Sequence, residues 1–349
     1  MKVDELDYEL PAGRIAERPL EDREGARLLV LARSGLEHAR FSSFAERVPD
    51  GALVVVNDTR VLPARLLGQR RGTGGRVEIL LLERRSPPGA VESWLGLGRS
   101  SRRLAPGSLI EVGSLEVEIQ GVRSEGVLEL GLRADGGVRE AIEREGHVPL
   151  PPYLRRPDEP GDRDAYQTLY ARHEGSVAAP TAGLHLGPRT LDRLRERGIA
   201  VAAVTLHVGL GTFRPVTADD LDAHPMHEEE FTVSAEAAEA VAAARRRGGK
   251  VVAIGTTTVR ALESARDPEE PGLVRPRTGR TRLLIQPGYR FGPVDALLTN
   301  FHQPRSTLLA LVAAFAGLER VRDAYASALR EGYRFLSYGD AMFLPERAE

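Results

Sequence analysis

The sequence predicts an α/β (mixed) main domain, discontinuous in sequence, with an inserted small antiparallel β-barrel domain. Three observations predict this fold. Short alternating strands separated by turn residues fill the segment from about 62 to 150. Helices and strands alternate after residue 150. Residues 54–57 form an apolar strand, typical of the centre of a larger sheet, before the barrel segment begins. We therefore assign 1–61 and 151–349 to the α/β domain and 62–150 to the barrel.

Strands dominate the first half of the chain. Two apolar runs, Leu28–Leu31 and Leu53–Val56, predict buried strands of the main sheet. Glycine and proline residues then punctuate the barrel segment and favour turns between its strands. The predicted barrel strands are Val77–Leu82, Leu109–Val112, Leu115–Ile119 and Val127–Leu132.

The second half alternates helices and strands. Gly198 is suited to end a helix because glycine adopts the left-handed cap easily, and Ser234 is suited to begin one. The predicted elements are a helix Arg189–Arg197, a strand Ile199–Leu206, a helix from about Ala235, a strand Val251–Ile254, a turn Gly255–Thr258, a helix from about Val259, and helices near Thr307–Ala316 and Glu319–Arg330.

Composition narrows the class of protein. The 349 residues contain no cysteine, which excludes disulfides, cysteine-ligated metals and a thiol nucleophile. No apolar run reaches roughly 18 residues and the N-terminus lacks a signal-peptide pattern, so we expect a cytoplasmic protein with no membrane contact. The net charge is −2, so any nucleic-acid site must be a local patch. Candidate basic patches are Arg70, Arg71, Arg99, Arg102 and Arg103, and Arg155 with Arg156.

Four short polar segments follow predicted strands or lie in glycine-containing loops. In α/β sheets, ligands bind beyond the carboxyl ends of strands, and Asn57–Arg60 and His207 stand at such positions. Asp58 and Arg60 either orient a ribose or carboxylate, or form a turn cap and an ion pair. The four segments are Asn57–Arg60, Pro180–His185, His207–Arg214 and Thr299–His302.

Histidines supply the candidate acids and bases. His185 and His207 follow glycine- or threonine-containing stretches, where an imidazole can transfer protons near neutral pH. The alternative for each is a buried imidazole that bonds to the backbone. His224, His227 and Glu229 form the densest cluster, which suits either hydrogen bonding to a substrate or a divalent metal, although it lacks the zincin spacing.

Two further segments are candidates for binding. Gly255–Thr258 lies between a strand and a helix, where it either binds an anion or merely caps the helix. Tyr333–Asp340 is interpreted as the end of a strand, with Tyr338 and Asp340 as site candidates. The predicted substrate-binding residues are Asn57, Arg60, Thr181, Arg214, Thr256, Thr257, Asn300, Tyr338 and Asp340, and no metal ligand is assigned.

Long motifs across almost the whole chain resemble the S-adenosylmethionine:tRNA ribosyltransferase-isomerase family of queuosine biosynthesis. The departures are small: Leu186, Gln303 and Arg305 stand where the family commonly has phenylalanine, leucine and lysine. The motifs are Asp7–Pro11, Arg18–Arg23, Val55–Arg65, Pro149–Tyr153, Tyr166–Thr168, Ser176–His185, Val204–Val216, His224–Glu229, Gly255–Thr257, Asp295–His302 and Ser337–Met342.

The resemblance implies transfer of the ribosyl part of S-adenosylmethionine to 7-aminomethyl-7-deazaguanine at the tRNA wobble position. The implied products are epoxyqueuosine-tRNA, adenine and methionine. S-adenosylmethionine is then a consumed substrate and no cofactor is expected; tRNA is the partner and the chain is expected to be a monomer. The resemblance also implies the fold of this family, an α/β domain with an inserted barrel.

The implied chemistry requires several proton transfers, which histidines and carboxylates can perform. Our hypothesis gives His207 or His227 the role of base and His185 or His302 the role of acid. In the same hypothesis Asp58, Glu229 and Asn300 orient hydroxyls, and Arg60 and Arg214 hold a carboxylate or phosphate. The hypothesis also requires that these loops converge into a single pocket.

Two other functions fit part of the pattern. An S-adenosylmethionine-dependent RNA methyltransferase would transfer the methyl group instead, and usually carries a glycine-rich dinucleotide-type loop that this sequence lacks. A non-enzymatic RNA-binding protein would use the barrel to bind nucleic acid without turnover. This hypothesis does not explain the histidine-rich loops.

Overall fold

The computed structural model describes residues 1–209 and 216–348. Within the first range, it describes the backbone of Glu125 but not the side chain. Its strands are β1 Arg27–Ala32, β2 Gly35–Arg40, β3 Leu53–Asn57, β4 Thr59–Val61, β5 Arg65–Arg70, β6 Arg76–Arg84, β7 Val91–Ser100, β8 Leu109–Val112, β9 Leu115–Val122, β10 Leu128–Arg133, β11 His173–Ser176, β12 Ala200–Leu206, β13 Glu229–Val233, β14 Val251–Ile254, β15 Arg277–Thr281, β16 Ala296–Asn300 and β17 Ala341–Leu344. Its helices are α1 Phe44–Arg47, α2 Val138–Glu145, α3 Asp162–Ala165, α4 Pro188–Glu196, α5 Ala235–Arg246, α6 Thr256–Ser264, α7 Thr307–Ala316 and α8 Leu318–Arg330.

The main sheet is mixed, in the order β15-β13-β12-β3-β14-β16-β17-β1-β2. Strands β12, β3, β14 and β16 run parallel, whereas β17 and β13 are antiparallel to their neighbours in this group. All five residues of β3 are buried, because α5 and α6 cover one face of the sheet and α1 and α4 cover the other. The predicted central strand is therefore confirmed.

The second unit is a closed antiparallel barrel in the order β10-β7-β6-β5-β8-β9. Its strands run from Arg65 to Arg133, and inward residues such as Ile79, Val117 and Leu130 form a separate apolar core. The predicted fold class, a mixed α/β domain with a small antiparallel barrel, is confirmed. The exact domain boundaries at 62 and 150 stay a prediction.

Strand β7 was absent from the predicted elements because its glycines interrupt the apolar alternation. The structure explains these glycines by close packing. A Cβ atom at Gly98 would lie 2.3 Å from a methyl group of Leu104, and one at Gly96 would lie 2.6 Å from a methyl group of Leu130. Glycine therefore makes room for large side chains inside the barrel.

The predicted turn at Gly255–Thr258 is wrong, because α6 already begins at Thr256. The backbone reverses only at Gly255, whose φ is 89°. Thr258 donates from its hydroxyl to the Ile254 carbonyl at 2.6 Å and is fully buried. Tertiary packing therefore overrides the weak helix propensity of three successive threonines.

The helices are short. Among residues 1–209 and 216–348, no helix is long and apolar enough to cross a membrane.

Candidate active site

The carboxyl ends of the four parallel strands lie side by side at one edge of the main sheet. His207 follows β12, Asn57 ends β3, Gly255 follows β14 and Asn300 ends β16. The short 3₁₀ helix Thr181–His185 packs against β16 at this edge. Four segments that are distant in sequence therefore meet where ligands of α/β sheets bind.

A cleft of about 670 Å³, here called the central cavity, opens at this edge. Its described walls carry hydroxyls, amides and one imidazole, and none of these wall residues is Lys, Arg, Asp or Glu. This lining suits hydrogen bonding to a sugar and a base. The polar wall residues are Tyr153, Thr181, Thr256, Thr257, Thr299, Asn300, His302, Gln303, Ser306 and Ser337.

Asn57 joins three elements behind the central cavity. Its Nδ2 donates to the Leu206 carbonyl at 2.9 Å and to Thr257 Oγ1 at 3.1 Å. Its Oδ1 accepts from the backbone nitrogen atoms of Leu206 at 3.0 Å and Thr59 at 3.2 Å. Because Asn57 is fully buried and its amide is engaged by the protein, this geometry suits positioning of β12 and α6.

Asn300 is held by two residues of the Thr181–His185 segment. Its Nδ2 donates to His185 Nε2 at 3.1 Å, and its Oδ1 accepts from the Thr181 hydroxyl at 3.0 Å. Burial lowers the pKa of His185 to about 4, so its ring is neutral at pH 7. His185 therefore orients Asn300 from behind.

His302 is fixed at its ring and at its backbone. Its Nε2 lies 2.8 Å from the Thr299 hydroxyl, its backbone nitrogen donates to the Tyr325 hydroxyl at 2.9 Å, and its carbonyl accepts from the Tyr8 hydroxyl. Burial lowers the pKa of His302 to about 3. The central cavity is therefore bordered by a neutral, tightly oriented imidazole.

His207 lies in a second opening, the interdomain cleft, of about 1050 Å³ between the barrel and the main sheet. Its Nδ1 is 2.8 Å from the Thr59 hydroxyl, which is also 3.5 Å from the His173 carbonyl oxygen. If that hydroxyl donates to the carbonyl, it accepts from Nδ1–H and leaves the Nε2 lone pair available. Val208 lines both the cleft and the central cavity, so the two openings adjoin.

Burial also lowers the pKa of His207, and the carboxylates of Glu230 and Asp58 oppose this effect. The imidazole is therefore neutral at pH 7 and can accept a proton. Asp58 itself is buried and accepts from the Thr205 hydroxyl at 2.7 Å, and its second oxygen lies 3.6 Å from His173 Nε2. Arg60 is exposed and faces a shallow depression beside Arg172.

The predicted cluster of His224, His227 and Glu229 lines a third space of about 480 Å³, here called the outer cavity. Glu229 is buried, forms an ion pair with Arg260, and accepts from the Gly209 backbone nitrogen at 2.9 Å. His227 is exposed. Among the described residues, no three His, Asp or Glu side chains are arranged to hold a metal ion.

Tyr338 and Asp340 lie away from the central cavity. Asp340 accepts from the backbone nitrogen atoms of Arg27 at 2.8 Å and Arg334 at 2.7 Å, and it is buried. Tyr338 donates to Asp162 at 3.0 Å. The strand prediction for Tyr333–Asp340 is wrong, because this segment precedes β17 and follows α8. Both side chains hold loops together in this structure.

Within residues 1–209 and 216–348, the four histidines line four different cavities, so the expectation that they converge into a single pocket is wrong. His302 lines the central cavity, His207 the interdomain cleft and His227 the outer cavity, while His185 lines a fourth space on the other side of Asn300. His207 and His185 are held by side chains 148 and 115 residues away, and no local pattern records such contacts. Arg214 lies outside the described residues, so its predicted role stays a prediction.

Several wall residues were absent from the predicted site. Ser306 caps α7, because its hydroxyl accepts from the Leu309 backbone nitrogen at 3.2 Å. A serine directly before an apolar helical run is a known signal for the start of a helix, so this residue could have been found from the sequence. Tyr153 and Ser337, also in the wall, place their hydroxyl oxygens 2.5 Å apart. Their sequence separation of 184 residues gives no local signal for this pairing.

Known proteins resemble the chain over its full length. A family model described as queuosine biosynthesis protein matches residues 3–344. An S-adenosylmethionine:tRNA ribosyltransferase-isomerase of Sorangium cellulosum is 54% identical, covering 99% of this chain and 98% of its own. The enzyme of that name from Moorella thermoacetica is 48% identical, covering 99% of this chain and 100% of its own.

A solved structure agrees with these relatives. The crystal structure of an S-adenosylmethionine tRNA ribosyltransferase from Thermotoga maritima is 35% identical, covers 97% of this chain and 99% of its own, and has a TM-score of 0.55. The chain therefore belongs to the S-adenosylmethionine:tRNA ribosyltransferase-isomerase family of queuosine biosynthesis and is an enzyme of that family.

Proposed function

We propose that the chain transfers and isomerises the ribosyl moiety of S-adenosylmethionine onto 7-aminomethyl-7-deazaguanine at the tRNA wobble position. The products are epoxyqueuosine-tRNA, adenine and methionine. S-adenosylmethionine is consumed as a substrate, and no further cofactor takes part. One observation carries the proposal: a cavity walled by hydroxyls and amides adjoins, through Val208, a cleft that contains a neutral histidine.

The central cavity suits the donor. Its uncharged polar wall can bond to ribose hydroxyls and adenine nitrogens, and Thr256 and Thr257 place the N-terminus of α6 within it. The interdomain cleft suits the acceptor because it is open and lies between the barrel and the sheet. The reacting carbons then lie near Val208, where the two spaces adjoin.

We assign proton abstraction from C5′ to His207. The sulfonium group acidifies that carbon, and a neutral imidazole with an available lone pair is the base that the step requires. The C5′ proton moves to the imidazole, and the electron pair that it leaves forms a new bond from C5′ to C1′, which closes the five-carbon ring. At C1′ the bonds to adenine and to the ring oxygen break, adenine takes up a proton, and the acceptor nitrogen loses a proton as it bonds to this carbon. The freed ring oxygen, still bonded to C4′, bonds to C5′ and displaces the sulfur, which closes the epoxide and releases methionine.

Other predicted roles change with the geometry. His302 faces the donor as a neutral imidazole and remains the candidate for proton exchange with adenine. We assign His185 to positioning, since its Nε2 accepts from Asn300. His227 is exposed and Glu229 is paired with Arg260, so we place neither at the reacting carbons.

The deciding experiment incubates the protein with S-adenosylmethionine and tRNA carrying the aminomethyl base. We expect release of adenine and methionine in equal amounts and a matching mass gain of one tRNA nucleoside. Release of S-adenosylhomocysteine with a methylated nucleoside would identify a methyltransferase. Binding of tRNA with no released product would contradict catalysis altogether.

A further inference from the structure

Arg260 on α6 has a buried donor that no described residue satisfies. The side chain is 7% exposed, its Nη1 donates to Glu229, and its Nε donates to the Leu283 carbonyl at 3.0 Å. Its Nη2 is buried and has no hydrogen-bond partner among the described residues, and the same holds for His224 Nδ1. Both residues line the outer cavity. The guanidinium nitrogen can only donate, so it lacks an acceptor, and His224 Nδ1 is a second donor in the tautomer that carries its proton there.

The wall of the outer cavity favours an anion. Thr307 and Leu308 open the ten-residue helix α7 there, so the positive end of the helix dipole borders the space. Glu229 is the one carboxylate among its described wall residues, and Arg260 already neutralises it. An entering carboxylate would therefore find donors and little repulsion.

The outer and central cavities share Leu308 in their walls. The two spaces therefore adjoin, as a ligand that reaches from the central cavity towards Arg260 would require. S-adenosylmethionine has a single anionic group, the carboxylate of its methionyl part. The deep burial of Arg260 excludes an RNA backbone, whose phosphates are flanked by bulky sugars. We infer, on the basis of the proposed function, that the outer cavity binds the α-carboxylate of S-adenosylmethionine through Arg260 and His224.

The test compares S-adenosylmethionine with its decarboxylated analogue by calorimetry, in the presence of saturating tRNA that lacks the acceptor amine. Loss of the carboxylate should weaken binding to the unaltered protein about 10- to 100-fold, the range for hydrogen bonds to charged groups. Arg260→Met and His224→Ala should each bind the two ligands within about threefold of one another. His224→Ala serves as the second variant should Arg260→Met fail to fold.

Arg245→Met is the matched control. Arg245 is a half-buried arginine of the main domain whose guanidinium bonds to Asp295 and to two backbone carbonyls. This variant should keep the full preference for the carboxylate. An unchanged preference in both test variants overturns the inference and leaves the proposed function standing. Failure of the unaltered protein to bind S-adenosylmethionine at all overturns both.

A separate observation concerns charge on the barrel. Segments 70–76 and 99–108 contain six arginines and no Asp or Glu, so the rest of the chain carries a net charge of −8, from −2 − 6. Both segments lie at the same end of the barrel, since Arg70 Nη2 donates to the Arg103 carbonyl at 3.0 Å. Arg71 is paired with Glu111 and Glu116. The other five, Arg70, Arg76, Arg99, Arg102 and Arg103, are called the basic face.

The basic face is available to an external anion. Within the described residues, its five arginines form no ion pair, and Glu78, which lies opposite Arg99 across the strands, bonds to Arg65 instead. Strand β6 runs from Arg76 in the basic face to Arg84 in the interdomain cleft. At ~3.3 Å per residue, the strand places the basic face roughly 26 Å from the cleft. We propose, again on the basis of the proposed function, that the basic face binds phosphates of the tRNA whose wobble base enters the cleft.

The test measures tRNA affinity by fluorescence anisotropy across a series of salt concentrations. The triple variant Arg99→Gln, Arg102→Gln, Arg103→Gln should reduce the slope of log K against log salt by about 2 to 3, since each lost phosphate contact contributes ~0.7–0.9. Its affinity for S-adenosylmethionine should not change.

The charge-matched control replaces Arg193, Arg195 and Arg322 by Gln, because each of these exposed arginines already has an acidic partner. The control should retain the original slope. If the triple variant has the same slope as the unaltered protein, this proposal is overturned. If the unaltered protein binds tRNA normally but shows no turnover, the proposed function alone is overturned.

Discussion

His207 and His302 share an arrangement that their sequence contexts do not reveal. In each, one ring nitrogen lies 2.8 Å from a threonine hydroxyl, Thr59 for His207 and Thr299 for His302. In each, burial lowers the pKa of the ring. In each case the threonine fixes the ring orientation and burial keeps the ring neutral, which is the state that a base requires for His207.

The first prediction concerns His207. His207→Gln should lower kcat by roughly 10²- to 10⁴-fold, the usual contribution of general base catalysis, and leave the Kd for S-adenosylmethionine within a fewfold. In the unaltered enzyme, kcat/KM should fall as the pH falls through a pKa below the ordinary 6.5, because burial holds the pKa of His207 down. Rates measured from pH 5 to 8 check both points. An acidic limb that persists in His207→Gln would show that another group is titrating.

The second prediction concerns the tyrosines behind His302. Tyr8 and Tyr325 bond to the backbone carbonyl and nitrogen of His302, so they position this residue without lining the central cavity. The double variant Tyr8→Phe, Tyr325→Phe should lower kcat at least tenfold while KM for tRNA is retained. Tyr333→Phe, at another buried tyrosine, is the control and should retain kcat. Equal losses in both variants would indicate a merely structural effect.

At the scale of elements, parallel strands explain how the site assembles. Strand β3 pairs with β12 on one side and β14 on the other, and β14 pairs with β16. The polar residues after these strands meet because parallel neighbours end at the same edge. Their apolar runs allowed β3, β12 and β14 to be predicted, whereas β16 and β17 were not, although they complete the edge.

The third prediction concerns α6, which carries Glu263 as well as Arg260. Burial raises the pKa of Glu263 to about 7, although Tyr289 and the Gly292 backbone nitrogen donate to it. A carboxyl group with a raised folded-state pKa keeps its proton while the unfolded chain releases it near 4.5. The free energy of unfolding should therefore fall as the pH rises from about 4.5 to 7, by at most ~1.4 kcal/mol per unit from this group.

Glu263→Gln should remove that dependence. Urea unfolding of the two proteins at pH 5, 6, 7 and 8 would measure it, and the difference between them should grow in favour of the variant up to about pH 7 and then level off. Parallel curves across this range would mean that Glu263 ionises normally in the folded protein. Glu239→Gln, at an exposed position of α5, should give parallel curves and serves as the control.

At the scale of the whole molecule, ion pairs connect the barrel to the main sheet across the cleft that contains His207. Arg280 on β15 bonds to Glu83 of the barrel at 2.6 Å and to Glu230 on β13 at 3.3 Å. These groups are partly exposed, so solvent screens them and each pair contributes at most about 1 kcal/mol. We expect these pairs to set the width of the cleft, because they join its two sides.

The fourth prediction tests that role. Arg280→Leu should change the free energy of unfolding by less than about 1 kcal/mol, as measured with urea, because exposed ion pairs contribute little. It should nevertheless lower kcat/KM for tRNA at least tenfold and leave the Kd for S-adenosylmethionine unchanged. Arg193→Leu, at an exposed ion pair of α4, is the control for both measurements. A loss of stability without a loss of kcat/KM would contradict the role in the cleft.

The sequence by itself determined the fold class, the central strand and the order of the polar segments, because apolar periodicity and turn residues act over a few neighbouring positions. It did not determine that the glycine-containing segment Val91–Ser100 forms strand β7 of the barrel, or that α6 begins at Thr256. Packing against distant residues decides both.

Only the tertiary structure decided which histidine faces which cavity. Thr59, Asn300 and Glu229 all lie in segments that the sequence singled out, yet no local pattern shows that they contact His207, His185 and Arg260. Their partners lie 31 to 148 residues away. Burial, hydrogen bonding and pKa depend on these contacts across the sheet edge, which form only when the chain has folded.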